Sequence, residues 1–222
     1  MIIFIIIRIL LNGNLKIPNV PYFSFDNVPV SLKNQWQVAF SEVVEDGQFI
    51  GGKFVEKFEK EWAEYLGTNF CVGVANGYDA LVLSLKALGI MPGDYVAVPA
   101  HTFMATWLAV SAVGAEPIGI DCDENGLIDL SILESCKINL SAVIPVHMHG
   151  QMVDMSRLMN WATENHVRVI EDCAQAHGAE IYGKKAGTWG DIGAFSFYPT
   201  KNLGGLGDAG AVTTSDNADS IH

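Results

Sequence analysis

Positive charge is scarce in this sequence. Lys and Arg total 13 against 25 Asp and Glu, a formal charge of −12 over 222 residues. That balance removes any general electrostatic attraction to nucleic acid or to an anionic membrane surface. An anionic ligand would need a local site built from backbone amides, helix N-termini and a few cations. Cysteine is scarce too: Cys71, Cys122, Cys136 and Cys173 stand far apart with no CxxC pair. A small disulfide-stapled scaffold is excluded, and buried free thiols in a reducing, cytoplasmic compartment are expected. No apolar run is long enough for a membrane span. The longest, MIIFIIIRILL, has eleven residues with Arg8 inside it, and no small-residue cleavage site follows in NGNLKIPN. Residues 1–18 read as an apolar leader outside the fold. Internal repeats and low-complexity tracts are absent as well.

Half of the residues are hydrophobic, enough for a sizeable core. From residue 31 onward helical patterns alternate with short β-rich runs, the signature of stacked βαβ units and a mostly parallel sheet. Seven runs are read as strands: Phe70 to Val74, Tyr95 to Val98, Pro117 to Ile120, Ala142 to Val146, Arg168 to Glu171, Ile192 to Ser196 and Ala209 to Thr214. Several are apolar without alternation, as expected of strands covered on both faces. Between them, Phe54 to Leu66 sets Phe54, Phe58, Trp62 and Leu66 four apart on one helical stripe. Further helices are expected over Asp79 to Leu88, Thr102 to Val113 and Asp154 to Asn165, with Asp154 as an N-cap. A single domain over residues 19–222 is the simplest division. The closing DNADSI reads as the start of a helix, so the chain is expected to be cut short.

In an open parallel sheet, ligands collect beyond the carboxyl ends of the strands, so the residues just after each run are the informative ones. After the first comes Asn76-Gly77-Tyr78-Asp79, a turn opening a helix whose amides at Gly77 and Tyr78 would face an anion. It is equally an ordinary turn and cap. After the second, Phe103 puts an aromatic ring at a helix start, able to stack on a flat heteroaromatic ring or to join the core. The fifth ends in Glu171-Asp172, and a carboxylate there would suit a pyridine nitrogen that must stay protonated, or would cap a helix. After the sixth, Lys201 lies in SFYPTKNLGGLGDAGA among small and apolar residues. That setting disfavours the ammonium form, as an imine-forming lysine needs. Two patterns are decoys. Gly205, Gly207 and Gly210 match GxGxxG but follow a loop and precede a β-rich run, which is the wrong context for a dinucleotide fold. His147 and His149 share one face of an extended segment without a third ligand at a recognisable spacing, so no metal is expected.

Taken in order, VANGYDAL, VPAHTFMATW, PVHMHGQ, VIEDCAQAHGA and GAFSFYPTKNLGGLGDAGAV resemble the DegT/StrS-like nucleotide-sugar aminotransferases, which are fold-type I pyridoxal phosphate enzymes. The resemblance runs from about Asn19 to the end. It implies an α/β large domain with a mostly parallel seven-stranded sheet, the last strand antiparallel, helices on both faces, and an absent C-terminal small domain. It implies that Lys201 holds pyridoxal 5'-phosphate, that Asp172 partners its pyridine nitrogen, and that Gln175 contacts its phenolic oxygen side. Phe103 would stack on the ring, while Gly77, the amide of Tyr78 and the hydroxyl of Ser196 would cradle the phosphate. Many relatives have Thr or Ser where Tyr78 stands, and GDGGA where this chain has GDAGA. The implied partners are an amino-acid donor, commonly glutamate, a nucleotide-linked keto-sugar, and a second copy in a homodimer. Relatives that dehydrate sugars carry His at the lysine position, so Lys201 favours transamination. The sugar product would serve cell-surface polysaccharide or secondary-metabolite synthesis. Two other readings are carried: a catalytically incomplete fragment, and a nicotinamide-dependent sugar oxidoreductase, which would need GxGxxG after the first strand.

Overall fold

The computed structural model of the chain describes residues 21 and 23–215. The leader expected over residues 1–18 and the helix start expected over DNADSI lie outside them. The chain divides into two compact units, Met1–Gly47 and Gln48–His222. In the first, the principal described element is helix α1 (Val30–Asp46), closed by the Gly47 amide on the Val43 carbonyl.

The second unit runs α2 (Lys53–Leu66), β1 (Phe70–Val74), α3 (Gly77–Ala87), β2 (Tyr95–Pro99), α4 (Met104–Ala112), β3 (Glu116–Ile120), α5 (Leu130–Ser135) and β4 (Ala142–Val143). A 3-10 turn (Met148–Gly150) follows, then α6 (Met155–Asn165), β5 (Arg168–Asp172), β6 (Glu180–Ile181), β7 (Lys184–Lys185), β8 (Ile192–Ser196) and β9 (Gly210–Thr214). Seven strands form one sheet in the order β1-β9-β8-β5-β4-β2-β3. Neighbours from β8 through β5, β4 and β2 to β3 are parallel, and β9 runs antiparallel to both β8 and β1. The α/β class and the antiparallel last strand are as the sequence led us to expect.

Alternation along the strands divides the core between two faces. Val96, Val98, Ile170, Ala194 and Val212 pack with α3 and α4, whereas Ala97 and Val169 pack with α5 and α6. Phe195 and Ala211 turn to that second face to meet α2. There Trp62 and Leu66 are buried, and the Trp62 ring meets Phe195 and Phe197 edge-on at 5.3 Å each. The α2 stripe therefore buries at its C-terminal half, each large side chain contributing about 1.5–3 kcal/mol.

The strand expected over Ala142 to Val146 pairs continuously only over Ala142–Val143, and Val146 makes a single bridge to Asp172. Pro145 lacks the amide that would carry the ladder onward. The β6–β7 hairpin was not anticipated: two-residue strands are too short to show alternation, although Tyr182 and Gly183, both at positive φ, supply its turn. Helix α5 was also missed, being six residues long and fixed by the Asp129 side chain, which accepts from the amides of Ser131 and Ile132. Asp154 caps α6 as expected, accepting from the Arg157 amide. All four cysteines are free, but only Cys173 is fully buried, so the expectation of buried thiols holds for one of them. Among the described residues no helix is long and apolar enough to cross a membrane.

Candidate active site

The ends of β1, β5 and β8 and the start of α4 bring most of the sequence-derived residues together. Where β1 gives way to α3, the Asn76 side chain accepts from the Asp79 amide at 2.8 Å and fixes the helix start. The amides of Gly77 and Tyr78 are the first of the helix, ahead of any intrahelical carbonyl. Gly77 is required by a close approach: a Cβ there would lie 2.7 Å from the Ser196 Cβ and 3.3 Å from its Oγ. Helix start and serine hydroxyl are thus pressed into one corner, the arrangement expected of an anion site. Gly210, which opens β9, is required for a similar reason, because a Cβ would strike the Asn76 carbonyl. The chain's GDAGA therefore keeps the glycine that the packing needs and spends its alanine on Ala209, which joins the α2 cluster.

Phe103 stands immediately before α4 and is 74% exposed. That excludes the core reading and leaves its ring free to stack. Three residues on, the fully buried Thr106 donates from Oγ1 to Asp172 Oδ2 at 2.9 Å. Asp172, at the end of β5, accepts on Oδ1 from the Ala174 amide at 3.1 Å. Burial pushes its carboxyl above the usual range, opposed by the Ala174 amide, the Thr106 hydroxyl and the positive charge of Lys201. Its backbone carbonyl accepts from the His147 amide at 3.1 Å.

Beside Asp172, Glu171 is wholly buried and fully committed. Oε1 accepts from the amides of Trp189 (2.6 Å) and Gly190 (2.8 Å), and Oε2 from Gly187 (3.0 Å) and His147 Nε2 (3.0 Å). His147 Nδ1 accepts from the Val153 amide at 3.3 Å, which leaves the ring proton on Nε2. Cys173 lies close to both, but with these atoms already engaged the trio offers no free donor set to a metal. The two histidines of the HMH segment do not share a face: His147 is buried, while His149 sits in the 3-10 turn at φ 56° and is exposed. The turn breaks the extended backbone on which that reading depended.

Lys201 lies in the loop from β8 to β9, held by its own amide on the Tyr198 carbonyl (2.8 Å), by Gly205 on the Phe197 carbonyl and by Phe197 on the Ala209 carbonyl. Its charge acts on Asp172 and on His177. His177 is set against Trp62, Phe195 and Phe197, with ring centroids 5.2–6.0 Å away. Burial lowers its basicity. The Ser196 backbone and the Asn202 side chain lie close to the ring, yet neither nitrogen reaches hydrogen-bonding geometry.

The family model for the DegT/DnrJ/EryC1/StrS aminotransferase family matches residues 30–220. The chain belongs to this family. It is 40% identical over 208 residues to the dTDP-3-amino-3,4,6-trideoxy-alpha-D-glucose transaminase of Streptomyces venezuelae, covering 93% of this chain and 55% of that protein. Among solved structures it is similar to S. venezuelae DesV in complex with a ketimine intermediate (TM-score 0.82, 42% identity, 86% of this chain and 53% of that one). It is also similar to NtdA from Bacillus subtilis with bound cofactor pmp (TM-score 0.83, 34% identity, 94% and 47%). The chain spans about half the length of the curated relatives it matches.

Membership in an aminotransferase family removes support from the oxidoreductase alternative, and the geometry agrees. The turn after β1 lacks GxGxxG, and the copy at Gly205, Gly207 and Gly210 leads into strand β9 rather than a helix. Gln175, half-buried, accepts on Oε1 from the His149 amide at 2.9 Å, which fixes its amide plane beyond the end of β5. Thr106, Glu171 and His177 are the site residues that sequence reasoning missed. Thr106 left no local signal, because Phe103 precedes the helix and is exposed while Thr106, three residues on, is fully buried. Glu171 was visible only as part of an apolar run.

Proposed function

We propose that this chain carries the pyridoxal 5'-phosphate site of an aminotransferase that moves an amino group from an amino acid, glutamate in our reading, to a nucleotide-linked keto-sugar. The observation that carries the proposal is the convergence on one sheet end of a buried carboxylate, an exposed aromatic ring, a helix start pressed on a serine, and a lysine whose charge reaches the carboxylate. Those residues fit the cofactor's ring nitrogen, ring face, phosphate and carbonyl carbon in turn. The pmp in NtdA and the ketimine in DesV support the same cofactor class. When bound, the cofactor supplies an electron sink that lets a proton leave the substrate carbon.

In this reading Lys201 would hold the cofactor through Nζ and, when free of it, would carry the proton between the substrate carbon and the cofactor carbon. Asp172 keeps a proton on the ring nitrogen. Phe103 covers one ring face and excludes water from it. The amides of Gly77 and Tyr78 and the Ser196 hydroxyl take the phosphate, and Gln175, steadied by the His149 amide, is assigned to the phenolic oxygen side. We assign the described second unit to the large domain of a longer cytoplasmic enzyme that acts as a homodimer in making sugars for surface polysaccharides or secondary metabolites.

Adding pyridoxal 5'-phosphate should give the absorbance band of cofactor joined to a lysine, and Lys201→Ala should lose it. Folded wild-type chain without the band refutes the assignment. Turnover with glutamate and a panel of nucleotide-linked keto-sugars tests the substrate class. The half-length coverage favours one second reading, a cofactor-binding fragment unable to complete turnover, which predicts the band without amine transfer.

A further inference from the structure

Burial at the end of β5 favours the neutral acid of Asp172. Two hydrogen bonds reach its oxygens: the backbone amide of Ala174 on Oδ1 and the side-chain hydroxyl of Thr106 on Oδ2. The first comes with the turn after β5 whatever side chain follows. The second is chosen by the sequence of α4. Thr106 Oγ1 also meets Thr102 Oγ1 at 2.9 Å, and Thr102 is only half-buried.

A hydroxyl has one proton to give. An ionised carboxylate can only accept, so Thr106 must donate to Asp172 and accept from Thr102. The chain Thr102 to Thr106 to Asp172 then runs one way. If Asp172 were protonated, it could donate to Thr106, which would turn its own proton toward Thr102, reversing the chain. The arrangement thus answers to the charge on Asp172, and with the carboxylate ionised every proton points at it. Phe103 lies between the two threonines in sequence, so one short segment would serve both the ring face and the ring nitrogen's partner.

We propose that Thr106, backed by Thr102, is the positioning residue that holds Asp172 ionised and oriented toward the ring nitrogen of the cofactor, an inference that rests on the assignment of Asp172 made above. Without the Thr106 hydroxyl, burial prevails and the proton shared between ring nitrogen and carboxylate moves to Asp172.

The test compares equilibrium binding of pyridoxal 5'-phosphate with that of its 1-deaza analogue, in which carbon replaces the ring nitrogen. Structural damage weakens both, so the preference between them reports the carboxylate alone. Thr106→Val should cut the preference about tenfold, the scale of a lost hydrogen bond to a charged group. Thr106→Ser should restore it to within about threefold of wild type. Thr106→Ala removes the same hydroxyl from a smaller side chain and gives the reading if the valine variant does not fold. Asp172→Ala should abolish the preference. If Asp172→Ala abolishes it and both Thr106→Val and Thr106→Ala leave it intact, the role of Thr106 is overturned while that of Asp172 stands. If Asp172→Ala leaves the preference unchanged, the assignment of Asp172 falls, and this inference with it.

Discussion

Replacing Glu171 by Gln changes one oxygen into an NH2 group and nothing else in shape, yet the site has no use for a donor. Four N–H groups converge on the Glu171 carboxylate, two on each oxygen, and the side chain has no exposure to water. A glutamine can keep one oxygen for one pair, either Trp189 and Gly190 or Gly187 and His147. Its NH2 then faces the other two donors. His147 cannot relieve the conflict by moving its proton to Nδ1, because that nitrogen already accepts from the Val153 amide. Two buried donors are left without an acceptor, at about 1–3 kcal/mol each, so Glu171→Gln should cost about 2–6 kcal/mol. For a chain of this size that is a fall in Tm of roughly 5–20 °C. Urea unfolding followed by circular dichroism measures the loss, and hydrogen exchange at Gly187, Trp189 and Gly190 should accelerate before other strand-flanking amides. A loss below about 1 kcal/mol would refute the reasoning, since it would mean that the four donors have another partner or that the site admits water.

Gly77→Ala should weaken pyridoxal 5'-phosphate binding by about tenfold or more and cost about 1–3 kcal/mol in stability, because its Cβ would lie 2.7 Å from that of Ser196; titration of the cofactor band and thermal melts check both, and unchanged affinity would count against the phosphate corner. Asp172→Asn should stabilise the cofactor-free chain near neutral pH. Burial raises the Asp172 carboxyl in the folded state above its unfolded value. Its contribution to stability is therefore whole below about pH 4 and is lost as pH rises through the folded value. The Tm advantage of the asparagine variant should shrink on acidification, and an advantage equal at pH 4.5 and pH 8 would contradict it. Burial, then the nearby Glu59 charge, pushes the Cys71 thiol up to about 12, and burial, then the nearby Glu171 and Asp172 charges, pushes the Cys173 thiol well above the usual range. A thiol-reactive dye at pH 8 should therefore leave both unlabelled in native protein and label them after unfolding.

Six of the seven sheet strands were legible within a residue or so because each is a mostly apolar run bounded by turn residues, a trace that burial on both faces leaves in β8 and β9 and that the less buried β1 and β3 share. The exception, Ala142 to Val146, has the same composition but contains Pro145, whose missing amide ends the pairing. Elements held by a single side chain left no such trace. Helix α5 depends on Asp129, and the turn at His149 on a positive φ that the extended HMH pattern conceals. Site residues divide in the same way. Asp172 and Ser196 close strands, and Gly77 and Lys201 come a few residues after strand ends, where topology alone concentrates ligands. Thr106 and Glu171 act through partners 66 and 16 to 24 residues away in sequence, and local pattern does not carry such contacts.

The deficit of positive charge and the proposed anionic cofactor are reconciled by where the cations lie. Arg157 is committed to Glu134 and Arg168 to Asp191, while Lys57 and Lys60 face Glu61 and Glu64 along α2. Among the described residues these ion pairs neutralise cations on the outside of the fold, and Lys201 takes part in none of them. The proposed phosphate corner, in turn, uses no cation among the described residues: it would consist of two helix-start amides and a hydroxyl, whose dipoles are fixed by packing and do not depend on net charge. An acidic protein can therefore hold an anion at this point while the rest of its surface repels polyanions, which favours a small, concave, amide-lined site over an open basic face. The same reasoning explains why Asp172 and Glu171 can sit side by side at the end of β5. Each carboxylate is balanced by N–H and O–H donors within hydrogen-bonding distance, four for Glu171 and two for Asp172, rather than by an ion pair with Lys or Arg. Asp172, with fewer donors, is the one left with acceptor capacity to spare, and that spare capacity is what a protonated ring nitrogen would use.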